Sequence, residues 1–121
     1  MRIVLIEPST ADARWFQLVI EEMRVDCALT MLPSILDATG TMRPEEEFCG
    51  DLVVLSTHMP FLGATEAIAR LRKLECLRQA RIVVAVSSEA EKEFVEGADE
   101  FLTKPVDALQ LERMLGYRPR S

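Results

Sequence analysis

Asp51-Leu52-Val53-Val54-Leu55-Ser56-Thr57-His58-Met59-Pro60 is an apolar run that stops abruptly in polar residues. A strand with one wet face shows a polar side chain at every second place. Leu52–Leu55 shows none, which is how a strand reads when a parallel sheet buries both its faces. Outward from it lie two runs of the same kind, Ile3–Ile6 and Ile82–Val86. A weaker run from Val25 to Leu32 and another from Glu100 to Thr103 complete a set of five strands.

Helical periodicity fills the intervals. Ser9 or Thr10 is placed to cap a helix whose Trp15, Phe16, Val19, Ile20 and Met23 share one broad face, with Trp15 and Phe16 read as core. Ala64, Ile68 and Leu71 mark a second helix, with Arg70, Arg72 and Lys73 turned outward. Asp107 caps Ala108–Leu115, Gln110 stands at the reciprocal capping position, and Gly116 stops the helix. The less regular stretch from Pro33 to Gly50 reads as two short helices, one ending at Gly40 and one beginning at Pro44. Glu45, Glu46 and Glu47 then sit as a solvated acidic face in a first turn. Strands alternating with helices give an α/β fold, a doubly wound five-stranded parallel sheet with helices on both faces, in one domain over 1–121.

The formal charge of −6 argues against nucleic-acid or anionic-membrane binding, because phosphates would be repelled, and it suits partners with basic patches. No apolar run approaches the ~20 residues that cross a bilayer, and the apolar stretch after Arg2 is too short for a signal peptide. Cys27, Cys49 and Cys76 are odd in number and far apart, without a CxxC pair. They read as reduced small hydrophobes in a cytoplasmic protein, and no zinc site is expected without clustered ligands.

In a doubly wound sheet, function gathers at the carboxyl ends of the strands. Those ends are Glu7-Pro8, Ser56-Thr57-His58, Ser87-Ser88 and Lys104-Pro105. Together with Gly97-Ala98-Asp99-Glu100-Phe101-Leu102-Thr103-Lys104-Pro105 and the 51–60 segment, they resemble the receiver domain of two-component response regulators over nearly the full chain. The resemblance implies strand order 2-1-3-4-5 and a cis Lys104–Pro105 bond. It also implies a pocket in which an aspartate at the end of the third strand takes a phosphoryl group, two acids after the first strand hold Mg²⁺, and a hydroxyl and a lysine contact the phosphoryl group.

Matched position by position, Glu7, Ser87 and Lys104 fit that pattern. Pro8 stands at the second acid, and Ser56 at the phosphoacceptor. Phosphoryl transfer from a phosphohistidine needs a carboxylate nucleophile and a metal to neutralise charge, and a serine without an adjacent base replaces neither. Asp51 lies at the far end of its strand, about 16 Å from Ser56. Asp12 is read as a helix residue outside the pocket. Glu7 and Lys104 are therefore expected as an ion pair, with Lys104 reaching Glu7 or the Ser56 hydroxyl. His58, without an orienting carboxylate in the sequence, reads as an ordinary loop histidine.

Only ten positions run from Ser87 to Gly97, which leaves a fourth helix shortened to two turns at most within Glu89–Glu96. Phe101 matches the family's switch aromatic. A clipped neighbour is expected to bare Phe94 and Phe101 as an interaction face, unless Phe94 closes the core. The leading expectation is a pseudo-receiver, a phosphorylation-independent signalling module without enzymatic activity or cofactor. Its expected partner is a signalling protein or output domain, with a homodimer possible and no nucleic acid or membrane involved. The alternatives are a receiver modified unusually, as by hydroxyl phosphorylation at Ser56, and, more weakly, a small enzyme on the same sheet.

Overall fold

A computed structural model describes residues 1–59 and 61–116. Pro60 of the Met-Pro step and residues 117–121 lie outside them. In chain order the elements are β1 (Arg2–Ile6), α1 (Thr10–Met23), β2 (Ala28–Leu32), β3 (Leu52–Ser56), α2 (Ala64–Arg72), β4 (Arg81–Val86), β5 (Glu100–Thr103) and α3 (Ala108–Leu115). The five strands form one parallel sheet in the order β2-β1-β3-β4-β5.

The continuous apolar runs lie where both sheet faces are covered. Every residue of Leu52–Ser56 is buried. On one face Phe16, Val19 and Ile20 of α1 and Leu111 and Met114 of α3 pack on Leu5, Val54 and Val83. On the other, Ala67, Ile68 and Leu71 of α2 meet Val4, Val53, Leu55 and Val84. β2 is half-wet because it is an edge, which is why its run is the weak one in the sequence.

Helix ends follow their caps. Ser9 Oγ accepts from Asp12 N at 3.2 Å, and Asp107 Oδ1 accepts from Gln110 N at 2.8 Å. The Gln110 side chain does not return to its cap. It donates to Thr103 O and accepts from Thr103 N instead, tying α3 to the end of β5. Gly116 ends α3 at φ +66°, a conformation glycine adopts without a Cβ penalty.

The 33–50 segment departs from the two-helix reading. Asp37 Oδ1 accepts from Thr39 N at 2.8 Å and Thr41 N at 3.1 Å, a side chain outcompeting helical carbonyls for backbone donors. Gly40 turns the chain at φ +81°, and Leu36 bridges Met42 in antiparallel fashion. What remains helical is one 3₁₀ turn, Glu45–Glu47. Ile35 and Phe48, both 0% exposed, plug this irregular segment into the core.

The expectation of three reduced cysteines is also overturned. Cys49 and Cys76 are joined as a disulfide, with Cα atoms 5.4 Å apart, and Cys27 is the free one. Their separation of 27 residues hid the pairing. Docking of the 44–50 segment beside the 3₁₀ turn Glu75–Leu77 creates it. The shortened fourth helix is a 3₁₀ turn over Glu89–Phe94, and the Lys104–Pro105 bond is cis.

Candidate functional site

The carboxyl ends of β1, β3 and β5 converge on one ammonium group. Lys104 follows β5, and its backbone N–H donates to Val86 O at 2.8 Å, which fixes where the side chain starts. Its Nζ donates to Glu7 Oε1 at 2.6 Å, Asp12 Oδ2 at 2.9 Å and Ser56 Oγ at 3.2 Å. Glu7 is 6% exposed and Ser56 1%. The second Glu7 oxygen accepts from Ser9 N at 3.2 Å, so a buried carboxylate is satisfied on both sides. Burial draws the Lys104 pKa down. The hydrogen bonds and charges of Glu7 and Asp12 outweigh it, and the ammonium is held above its ordinary value.

Asp12 corrects the sequence reading, which left it outside the pocket. Ser9 caps α1, so Asp12 falls in the first turn, at the end of the helix that faces the strand termini. A carboxylate is favoured there by the unpaired N–H groups. The signal was available in the spacing from Ser9, but a capping role accounts equally for an acid at that place.

Ser87 is not brought to the pocket. Its Oγ lies 2.9 Å from His58 Nε2, which is also 3.3 Å from Glu91 Oε1. Glu91 Oε2 accepts from Ser87 N at 2.7 Å and Thr57 Oγ1 at 3.2 Å, and the Ser87 N–H above all lowers the Glu91 pKa. His58 thus has a carboxylate beside it that the sequence did not reveal. Both its contacts fall on the same ring nitrogen, so the far side of the ring is not oriented as a general base requires.

Pro8, half-buried, supplies no side-chain ligand. Mg²⁺ asks for near-octahedral oxygens at about 2.1 Å. Here the oxygens that face one another already converge on the Lys104 ammonium, and only two of them carry charge. This donor set does not fit the metal.

Trp15 is 49% exposed rather than core, and its Nε1 donates to Val106 O at 2.6 Å. It walls a cleft of about 390 Å³ floored by Leu5, Phe16, Val54 and Ala85 beside the Lys104 cluster. Phe101 is half-buried against the α2-side core, with Lys92 Nζ 5.7 Å from its ring centre. Phe94 is 81% exposed, so it does not close the core. It borders a groove of about 570 Å³ between the start of α2 and the 89–94 turn, with Glu66 and Glu91 on its walls.

This architecture is shared with solved structures. The receiver domain of a sensor histidine kinase from Pseudomonas aeruginosa PAO1, with a magnesium ion coordinated in its active site cleft, superposes with a TM-score of 0.75 at 19% identity, covering 94% of this chain and 93% of that one. The bacteriophytochrome response regulator AtBRR gives 0.75 at 19% identity over 99% and 96%. A response regulator receiver domain protein from Clostridium thermocellum gives 0.73 at 19% over 95% and 90%. The chain has the receiver-domain fold. No protein-family model matches it. The hybrid signal transduction histidine kinase G of Dictyostelium discoideum is 22% identical over 125 residues, covering 98% of this chain, which spans only 4% of that kinase's length. Within the receiver fold, none of the described helices is long and apolar enough to cross a membrane.

Proposed function

We propose that this chain is a pseudo-receiver: a signalling module that keeps the receiver fold, has given up phosphoryl transfer, and acts by binding a protein partner. The observation that carries this reading is the Lys104 ammonium seated on Glu7, Asp12 and Ser56. Those contacts engage both carboxylates of the pocket with an internal cation, where a phosphoryl-accepting site needs a carboxylate nucleophile and a divalent metal. The Pseudomonas receiver domain, by contrast, coordinates magnesium in its cleft. Ser56 is 1% exposed and its Oγ is engaged by Lys104 Nζ and His58 N, which speaks against its modification by a kinase.

The partner reading rests on the surface around Phe94. An exposed aromatic beside a groove with acidic walls suits a partner that presents an apolar side chain together with basic groups. The test of the lost chemistry is incubation with acetyl phosphate and Mg²⁺, read by intact mass and by Trp15 fluorescence. Trp15 is bonded to the carbonyl two residues beyond Lys104 and so reports movement there. The expected result is an unchanged mass and no saturable Mg²⁺ response. A phosphoryl adduct overturns the reading.

A further inference from the structure

The disulfide end of the molecule holds a cluster that the receiver pocket does not use. Cys49, Cys76 and Glu45 are all partly buried, and one ligand atom from each lies within 4.8 Å of the others. Glu45 is held in place by Cys76 N, which donates to its Oε1 at 2.9 Å. The second carboxylate oxygen stays available. The two segments are pinned from below, because Phe48, next to Cys49, and Leu77, next to Cys76, are both 0% exposed. The sulfurs therefore keep facing each other whether or not they are bonded.

We propose that the reduced form of this cluster binds a thiophilic divalent cation of the zinc class through Cys49, Cys76 and Glu45, and that disulfide and metal are alternative states of one cross-link. A dithiol reductant supplies two electrons and two protons; the Cys49–Cys76 bond breaks to two thiols and the reductant closes to its own disulfide. The incoming cation displaces both thiol protons to solvent and takes two thiolates and one carboxylate. Tetrahedral zinc holds sulfurs at about 2.3 Å, which sets them roughly 3.8 Å apart, a small opening from the bonded pair. Water fills the fourth position. Hard cations such as Mg²⁺ and Ca²⁺ are not candidates, because two of the three donors are sulfur. Either state ties the Glu45–Cys49 segment to the Glu75–Leu77 turn, so the irregular segment stays docked under both oxidising and reducing conditions.

The experiment is competition of the chain for Zn²⁺ against a chromophoric chelator, with and without prior reduction, alongside Co²⁺ absorption. The reduced chain is expected to take one equivalent of Zn²⁺ and to show thiolate-to-Co²⁺ charge transfer, and the oxidised chain neither. Cys49→Ser and Cys76→Ser lose at least about 100-fold in affinity, Glu45→Gln about 10-fold, and Cys27→Ser none. Should the serine variants fail to fold, the cobalt spectrum of the reduced native chain decides alone. Absence of the charge-transfer band, or full affinity in a folded Cys49→Ser or Cys76→Ser variant, overturns the proposal. So does alkylation of all three thiols in denaturant after metal removal and exposure of the chain to oxidant, since only Cys27 is free in the oxidised chain.

Discussion

At the scale of single residues, Lys104 has the most consequence. Replacing it with methionine leaves Glu7 buried with the Ser9 N–H as its remaining bond. Leaving such a group half-satisfied costs about 1–3 kcal/mol, which urea denaturation reads directly. Its folded-state pKa lies above the ordinary value. The stabilisation is thus fully present below the unfolded value, ~10.4, and is lost as pH rises through the higher folded one. The gap between native chain and Lys104→Met is expected to stay flat through neutrality and to narrow only in strong alkali. A gap that closes near pH 8 means the lysine is neutral in the pocket. Asp12→Asn costs less, under about 1 kcal/mol, because that carboxylate is half in water.

At the scale of elements, the strands were legible because burial on both faces leaves no polar residue to confuse the pattern. The caps at Asp107 and Gly116 were legible because their chemistry is local, and the first helix's cap was narrowed to Ser9 or Thr10, of which Ser9 takes the role. What escaped was whatever depends on two distant segments meeting: the Cys49–Cys76 bond, Glu91 beside His58, and the reach of Arg72. Arg72 reads as an outward charge like Arg70, which does pair with Glu66 on the α2 surface. Instead Arg72 bends over the helix end to donate to Ala80 O at 2.7 Å and to Asp99 Oδ2 at 2.5 Å. Asp99 also accepts from Ile82 N at 2.7 Å, clasping β4 to the entry of β5. Burial raises the Asp99 pKa, but the Ile82 and Arg72 hydrogen bonds overcome it and the net shift is downward. Asp99→Ala is expected to cost about 1 kcal/mol at neutral pH, because the carboxylate is nearly half in water and its ion pair with Arg72 is screened. That stability exists above the unfolded carboxylate value, ~3.9, and disappears as pH falls through the lower folded one. Denaturation of both chains from pH 7 to 2 is therefore expected to show a constant gap that closes only below about pH 4. A gap that persists at pH 2 would assign the loss to packing and not to charge.

At the scale of the whole molecule, a switching receiver needs a bistable output face, because modification must move it. On the pseudo-receiver proposal, with the pocket carboxylates already engaged by Lys104, nothing in the site drives such a switch, and one conformation of the β5 and 89–94 surface suffices. That surface carries Phe94, 81% exposed, among Glu89, Glu91, Lys92, Glu93 and Glu96, while Phe101 beneath is half-buried. The two phenylalanines therefore separate cleanly by experiment. Phe94→Glu removes no buried contact and is expected to change stability by no more than about 0.5 kcal/mol, whereas Phe101→Ser empties part of a packed core and costs several times that. If the face is the docking site, the same Phe94→Glu abolishes complex formation, whether the complex is a dimer in sedimentation velocity or an assembly with a basic partner. Phe101→Ser weakens it only as far as it loosens the fold. A Phe94→Glu chain that is as stable as the native one and still associates moves the docking site elsewhere, and the 33–50 segment, pinned by Phe48 and the Cys49–Cys76 bond, becomes the surface to mutate next.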